Sequence, residues 1–241
     1  YSAATFTSRP HMPSTLPLAL GVILAGLAFA WARRPPPRLR ALHRASAAVV
    51  AAFAAAHLLG HLTSLAGVAA HQAVLEALRT VYRQPLAEAL LLSAVLFQVG
   101  SGFALLWRGR VWRRGALARV QAVSGAYLGL FLLNHVAAVF VARAQGLDTN
   151  WYFAAAGLHV PLLPWFFAPY YFLAVLALGA HVGCALYRRL PPPKGARVLA
   201  GAVLGALALA ACLVGLLAGW LGDLEIPARY TTPLQAWVGR S

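Results

Sequence analysis

Six apolar runs of helix length, at 16–32, 44–67, 85–107, 119–143, 166–187 and 198–221, leave this chain little choice of solvent. About 20 apolar residues in a helix match a hydrocarbon core ~30 Å thick. Each run has arginine, lysine or proline on at least one flank. The pattern predicts an all-α integral membrane protein with six transmembrane helices. Composition agrees, since 61% of residues are hydrophobic and 10% charged, far from the balance of a soluble domain. The first run is short and ends on Arg33 and Arg34; it reads as a retained anchor. A cleaved signal peptide is the rival, because Ala28-Phe29-Ala30 has the small-x-small form. Residues 1–11 precede the only methionine, Met12, and lack periodicity. They are expected to be disordered or a cloning or processing remnant, with 12–241 forming a single membrane domain.

The 20 Lys and Arg against 5 Asp and Glu might suggest nucleic acid, but the basic residues fall in short blocks between apolar runs. That pattern is topology signal and lipid-headgroup contact, and no nucleic-acid partner is expected. The blocks Arg33 to Arg44, Arg108 to Arg119 and Arg188 to Arg197 follow the first, third and fifth runs. Those loops are expected to face the cytoplasm of a bacterial inner membrane, with both termini outside. The acids Glu76, Glu88, Asp148, Asp223 and Glu225 then fall on or near the opposite side. Between the runs, 71–84 reads as a surface helix, 144–165 as an aromatic connection at headgroup level, and the tail from 222 as an interfacial extension. Cys184 and Cys212 lie in apolar runs without metal-ligand spacing and read as small core residues.

A histidine inside a bilayer core is costly and asks for a function. Ser46, Phe53 and His57 in one run repeat the spacing of Ser124, Phe131 and His135 in another. Serine to histidine is eleven residues in both, roughly 16 Å along a helix, about half-way across the core. Two related helices thus bring an imidazole to one depth. Gln98-Val99-Gly100 and His181-Val182-Gly183 stand at similar distances after Pro85 and Pro169, so spans two and three pair with spans four and five as two pseudo-repeats. Histidines on facing helices of a four-helix bundle are a common way to hold haem iron in a membrane. His57 with His135 is the expected metal-ligating pair. His61, one turn further along the same face, is the alternative ligand or a propionate partner; the repeat register favours His57. Ala54, Ala55 and Ala56 and Gly125, Ala126 and Gly129 are expected to leave space for a flat macrocycle. Zinc is less expected, because no carboxylate or thiolate stands beside the histidines. At the other level Gln98 faces His181, and glutamine is a poor iron ligand. The outcomes there are no second haem, a five-coordinate haem on His181, or a quinone or lipid headgroup in the space.

His43-Arg44-Ala45-Ser46 entering one span, Arg119-Val120-Gln121-Ala122-Val123-Ser124-Gly125 entering another, and histidines at about forty-residue intervals resemble the membrane-anchor cytochrome b of succinate dehydrogenases and fumarate reductases. The resemblance covers roughly 39–221. It implies haem b, one or two per chain, with His57 and His135 sharing the outer haem and Gln98 and His181 an impaired inner one. It implies a quinone hydrogen-bonded by Arg44 and Ser46, and flavin and iron–sulfur dehydrogenase subunits docked on the cytoplasmic face. This chain departs from the family in its extra first span, in Ala47 after Ser46, and in Gln98. The duplicated S-x(6)-F-x(3)-H pattern is also similar to fungal mitochondrial outer-membrane proteins that partner lipid-transfer proteins.

The first functional expectation is a haem b cytochrome passing electrons between a membrane quinone and a partner dehydrogenase or reductase, itself a non-catalytic subunit. The second is a non-respiratory six-span protein, with or without haem, acting in lipid movement as a scramblase or as a docking platform. A proton-coupled transporter is weaker, since only Glu88 is an acid within a span, and there it suits a helix-start charge.

Overall fold

A computed structural model describes residues 38–108 and 115–239. Residues 1–11 and the first apolar run, 16–32, lie outside the described residues. Within them the chain is helical: α1 (Leu39–Leu62), α2 (Val68–Tyr82), α3 (Pro85–Arg108), α4 (Ala116–Ala144), α5 (Trp151–Ala156), α6 (Pro164–Tyr187), α7 (Lys194–Leu217) and α8 (Ala228–Val238). Five helical stretches are long and apolar enough to cross a membrane: Leu39–Ala66, Pro85–Trp107, Ala116–Ala144, Pro164–Tyr187 and Lys194–Leu217. They correspond to the second to sixth runs, and the protein is a helical membrane protein.

Four of these helices start earlier than their apolar runs, α4 and α6 by three and two residues and α1 and α7 by more. α1 begins at Leu39 instead of 44, because the Arg, Leu and Ala of that segment are good helix formers. α7 starts at Lys194 directly on Pro193, whose fixed φ suits a helix entrance. Only 6% to 28% of the residues in each span are buried within the protein. Exposed Leu86, Leu90, Leu130, Leu133 and Leu204 therefore face lipid. Trp107, Trp165 and Trp220, all more than 70% exposed, stand at the ends of spans, the level of an aromatic belt.

Close packing runs along one line, α1 on α3, α3 on α4, α4 on α6 and α6 on α7. The pairs α1/α3 and α4/α6 are those the repeat predicts. α6 and α7 approach most closely because Gly179 and Gly183, four apart, remove the side chains between them. A Cβ on Gly179 would meet Ala206 Cβ at 2.3 Å and the Ala202 carbonyl oxygen at 2.7 Å, the close backbone approach that small-xxx-small faces permit.

The hydrophilic connections are not equal. α1 is extended by a 3₁₀ turn, Thr63–Ala66, and then Gly67, at φ 103°, turns the chain into α2, a conformation that favours glycine. α2, α5 and α8 lie together at this end and cover it. Asn150 caps α5 by accepting from the backbone N–H groups of Tyr152 and Phe153 at 3.1 and 3.3 Å. Trp151, 1% exposed, packs with Ala155, Leu158, Leu213, Leu216 and Leu217 into the main buried cluster beneath. The expected surface helix at 71–84 and aromatic connection are therefore parts of a packed cap. The opposite end carries Arg40, Arg44, Arg119, Arg188, Arg189, Lys194 and Arg197 and no acid among the described residues. We call the two ends capped and basic.

Candidate functional site

The membrane helices line a cavity of ≈ 1870 Å³ that reaches from His57, His61, His71 and His135 near the cap to Arg40, Arg44, Arg188 and Arg189 at the basic end. It is about twice the ~1,000 Å³ upper bound usual for small-molecule pockets. Its position follows from the packing line, since α1 closes on α3 and α2 rather than on α4 or α6. Side chains, not backbones, meet across the space.

The upper constellation is built by the duplicated motif. Phe53 stacks on His57 at 5.9 Å and 13°, and Phe131 stacks on His135 at 5.3 Å and 12°. Phenylalanine and histidine four residues apart share a helix face, so the same local contact fixes each imidazole plane. The two imidazole centres then lie 6.1 Å apart, their planes at 66°. One metal ion bridging two imidazoles in line would set ring centres about 6 Å apart, given metal–nitrogen bonds of ~2 Å and a ring nitrogen ~1.1 Å from its centre. The pair fits a group held from both sides by imidazole.

His61 is drawn into the same cluster. Its Nε2 lies 3.2 Å from His57 Nε2, one donating and the other accepting. Ligation through His57 Nε2 requires that bond to be given up; ligation through His61 is the exchange of the two. His71, which the sequence reading did not select, stacks on His61 at 5.1 Å and 22°, and Trp151 lies 4.8 Å from His71. The Nδ1 atoms of His61 and His71 are buried without a hydrogen-bond partner, uncommon for buried polar atoms. Burial, with the Arg79 charge second, pushes the His71 pKa down to about 4, so this cap residue is neutral at physiological pH. The one signal for His71 was its place on the buried face of the amphipathic α2, in step with Leu75, Leu78 and Arg79. Among the described residues no three His, Cys, Asp or Glu side chains form a metal-holding group, so no closed zinc centre is built there.

Ion pairs hold the cap over this cluster. Arg79, 7% exposed, donates to Asp148 at 2.6 Å and to Glu76 at 2.7 Å. Its pKa is raised: burial alone would lower it, but the hydrogen bonds to Asp148 and Tyr82 and the Asp148 and Glu76 charges together outweigh that. Arg143 pairs with Glu88, and Arg83 donates to Thr149 at 3.1 Å. Glu88 is thus the structural partner of a neighbouring helix.

The lower constellation expresses the repeat with its members exchanged. In the first repeat His43 and Gln98 meet: Ser46 donates to Gln98 Oε1 at 2.6 Å, and Gln98 Nε2 lies 3.1 Å from His43 Nε2. Ser101 spends its proton on the Gln98 carbonyl at 3.2 Å, so His43 Nδ1 donates to Ser101 at 2.8 Å and His43 Nε2 accepts from Gln98. In the second repeat Gln121 and His181 meet, His181 Nδ1 donating to the Gln121 carbonyl at 2.9 Å. That fixes the tautomer and leaves His181 Nε2 as a lone pair, the orientation second-shell carbonyls give to metal-ligating histidines. Gln98 is committed to Ser46 and His43. Ser46, expected to bond a quinone, likewise has its hydroxyl engaged, whereas Arg44 lines the cavity and is exposed.

One expectation about space changes. Gly125 and Gly129 line the cavity, but a neighbouring ring takes the space beside each: a Cβ on Gly125 would meet His181 Cε1 at 2.7 Å, and one on Gly129 would meet Phe103 Cε2 at 3.0 Å. Ala55 is exposed on the outer face, while Ala54 lines the cavity. Cys184 is buried and Cys212 partly buried, both free thiols. Comparison with protein-family models, with curated proteins and with solved structures gives no match.

Proposed function

We propose that the protein is a haem b-binding transmembrane cytochrome, six spans in all, whose second to fifth spans form a four-helix bundle of two pseudo-repeats. The observation that carries this reading is the His57 and His135 pair, 6.1 Å apart across the cavity, each ring held by the phenylalanine one turn before it. When bound, haem b would supply a one-electron couple within the bilayer.

The protein's own residues do the rest. His57 and His135 would hold the group, and Phe53 and Phe131 hold their ring planes, so little rotamer freedom would be lost on binding. His61 hydrogen-bonds whichever imidazole nitrogen faces it. The cap of α2, α5 and α8, in which Arg79 ties α2 to Asp148, would shield the site from water. The Nε2 of His181 is a second coordination point, while the imidazole of His43 at that level is engaged by Ser101 and Gln98. One haem per chain is the stoichiometry this favours. The basic end, facing the cytoplasm of a bacterial inner membrane with both termini outside, would dock a flavin and iron–sulfur partner, and Arg44 would meet a quinone carbonyl there.

Purified protein, with haem quantified per chain and a reduced-minus-oxidised visible spectrum, tests the reading. A Soret band with about one haem per chain, lost in His135→Ala, supports it; colourless protein overturns it. A second reading is lipid movement by the same helices, favoured by the cavity's apolar middle and its reach to the basic end. Flipping of labelled lipid in liposomes that is indifferent to His57→Ala would select it.

A further inference from the structure

Every acidic side chain of the protein lies among the described residues, and none forms an ion pair with Arg40, Arg44, Arg188 or Arg189. These four arginines line the same cavity, two from the first turns of α1 and two just past α6, helices that do not pack closely on each other. Basic residues at a membrane boundary are ordinary when each faces water or headgroups alone. Here four arginines line the basic end of one cavity without a carboxylate partner, a concentration of positive charge that favours an anion. Arg119, Lys194 and Arg197 share this end and do not line the mouth. At the capped end the cavity-lining cations Arg83 and Arg143 are bonded to Thr149 and Glu88, so the lack of partners belongs to the basic end.

Behind the mouth His43, Gln98, Gln121 and His181 of the lower constellation line the cavity, and from there to the His57 level the walls are mainly apolar. Ala47, Val50, Ala51 and Ala54 of α1 face Val95 and Val99 of α3 along the cavity. From Arg44 to His57 is thirteen residues, about 20 Å of helix, against roughly 15 Å for one leaflet of the hydrocarbon core. An anion-attracting basic end, followed beyond the lower constellation by a mainly apolar channel about as long as one leaflet, describes an amphiphile with a negative head and a long tail.

We propose that the basic mouth binds the phosphate of one anionic phospholipid, with an acyl chain lying in the cavity below the His57 level. Arginine suits this role because its planar fork meets phosphate oxygens in pairs. The site does not rest on the haem reading: it uses the opposite end of the cavity and would persist in a haem-free protein.

The test uses the full chain, delipidated in detergent, exposed to vesicles of phosphatidylglycerol or phosphatidylcholine and re-isolated, with retained lipid counted by native mass spectrometry. One phosphatidylglycerol per chain is expected, with phosphatidylcholine retained about tenfold less. The double substitution Arg188→Gln with Arg189→Gln should lower phosphatidylglycerol retention about tenfold, from the loss of two headgroup charges. Ala47→Phe should lower it without changing charge, by filling the channel, while Arg119→Gln with Arg197→Gln should leave it unchanged. Equal loss in both arginine pairs would reduce the effect to a diffuse surface field and overturn the site. Retention indifferent to Ala47→Phe, or equal for the two lipids, would overturn it as well. A visible spectrum on the same samples separates the two proposals, because the Arg188 and Arg189 substitutions should not alter a signal from His57 and His135.

Discussion

The two ends of the cavity are made from the same helices yet solve their charges in opposite ways. At the capped end Arg79, Arg83 and Arg143 are each bonded to Asp148, Glu76, Thr149 or Glu88, and two of these bonds tie α2 to the connection that leads into α5. At the basic end Arg40, Arg44, Arg188 and Arg189 line the mouth without a carboxylate. The imidazoles follow the same division. His57, His61, His71 and His135 cluster against one another under the cap, whereas His43 and His181 are each bonded to groups of a neighbouring helix. A capped end with clustered imidazoles is suited to hold a group, and a basic end to recognise an anionic one.

If that contrast is right, the capped end should be where single substitutions cost most. Asp148→Ala removes the best partner of a buried guanidinium and should destabilise the protein by about 1.5–3 kcal/mol, the range for hydrogen bonds to charged groups, read as a lower melting midpoint in detergent. Acid should produce a smaller, local change. His71 is held neutral with its pKa near 4, below the 6.5 of an unfolded histidine. The unfolded chain therefore takes up the proton first as pH falls. The contribution of His71 is complete above pH 6.5 and is lost progressively from there down to about 4. Protection of α2 amides, corrected for the pH dependence of intrinsic exchange, should fall over that window in the native protein and stay flatter in His71→Phe. At the lower constellation Gly125→Ala pushes on the His181 ring at 2.7 Å and should cost about 1–2 kcal/mol by overpacking, without altering a signal from the capped end. The smallest effect belongs to the mouth: Arg188→Gln should change stability by less than about 0.5 kcal/mol, although it weakens anionic-lipid retention. Were Arg188→Gln to destabilise as much as Asp148→Ala, the basic end would be a structural ion site and the contrast would be lost.

The parts of this arrangement that local rules govern were legible in the chain. Phenylalanine four residues before histidine must share its helix face, so the stacked pairs Phe53/His57 and Phe131/His135 follow from spacing, and the five described spans follow from apolar length. What depends on the neighbour a helix acquires was not legible. His71 lies outside the spans, and only the turn at Gly67 folds α2 back so that it reaches His61. Gly125 reads as open space in sequence, but α6 delivers His181 into that space. Gln98 reads as a missing ligand, whereas its amide bridges Ser46 and His43 while the second repeat sets Gln121 against His181, the two residue types having changed places.

The most direct measurement is the reduced-minus-oxidised visible spectrum of the full chain alongside His57→Ala, His135→Ala and His181→Ala, each with haem counted per chain. The account predicts a haem b signal in the unaltered protein, retained in His181→Ala and lost in both of the others. No signal in the unaltered protein, or one that survives His57→Ala and His135→Ala, would contradict it.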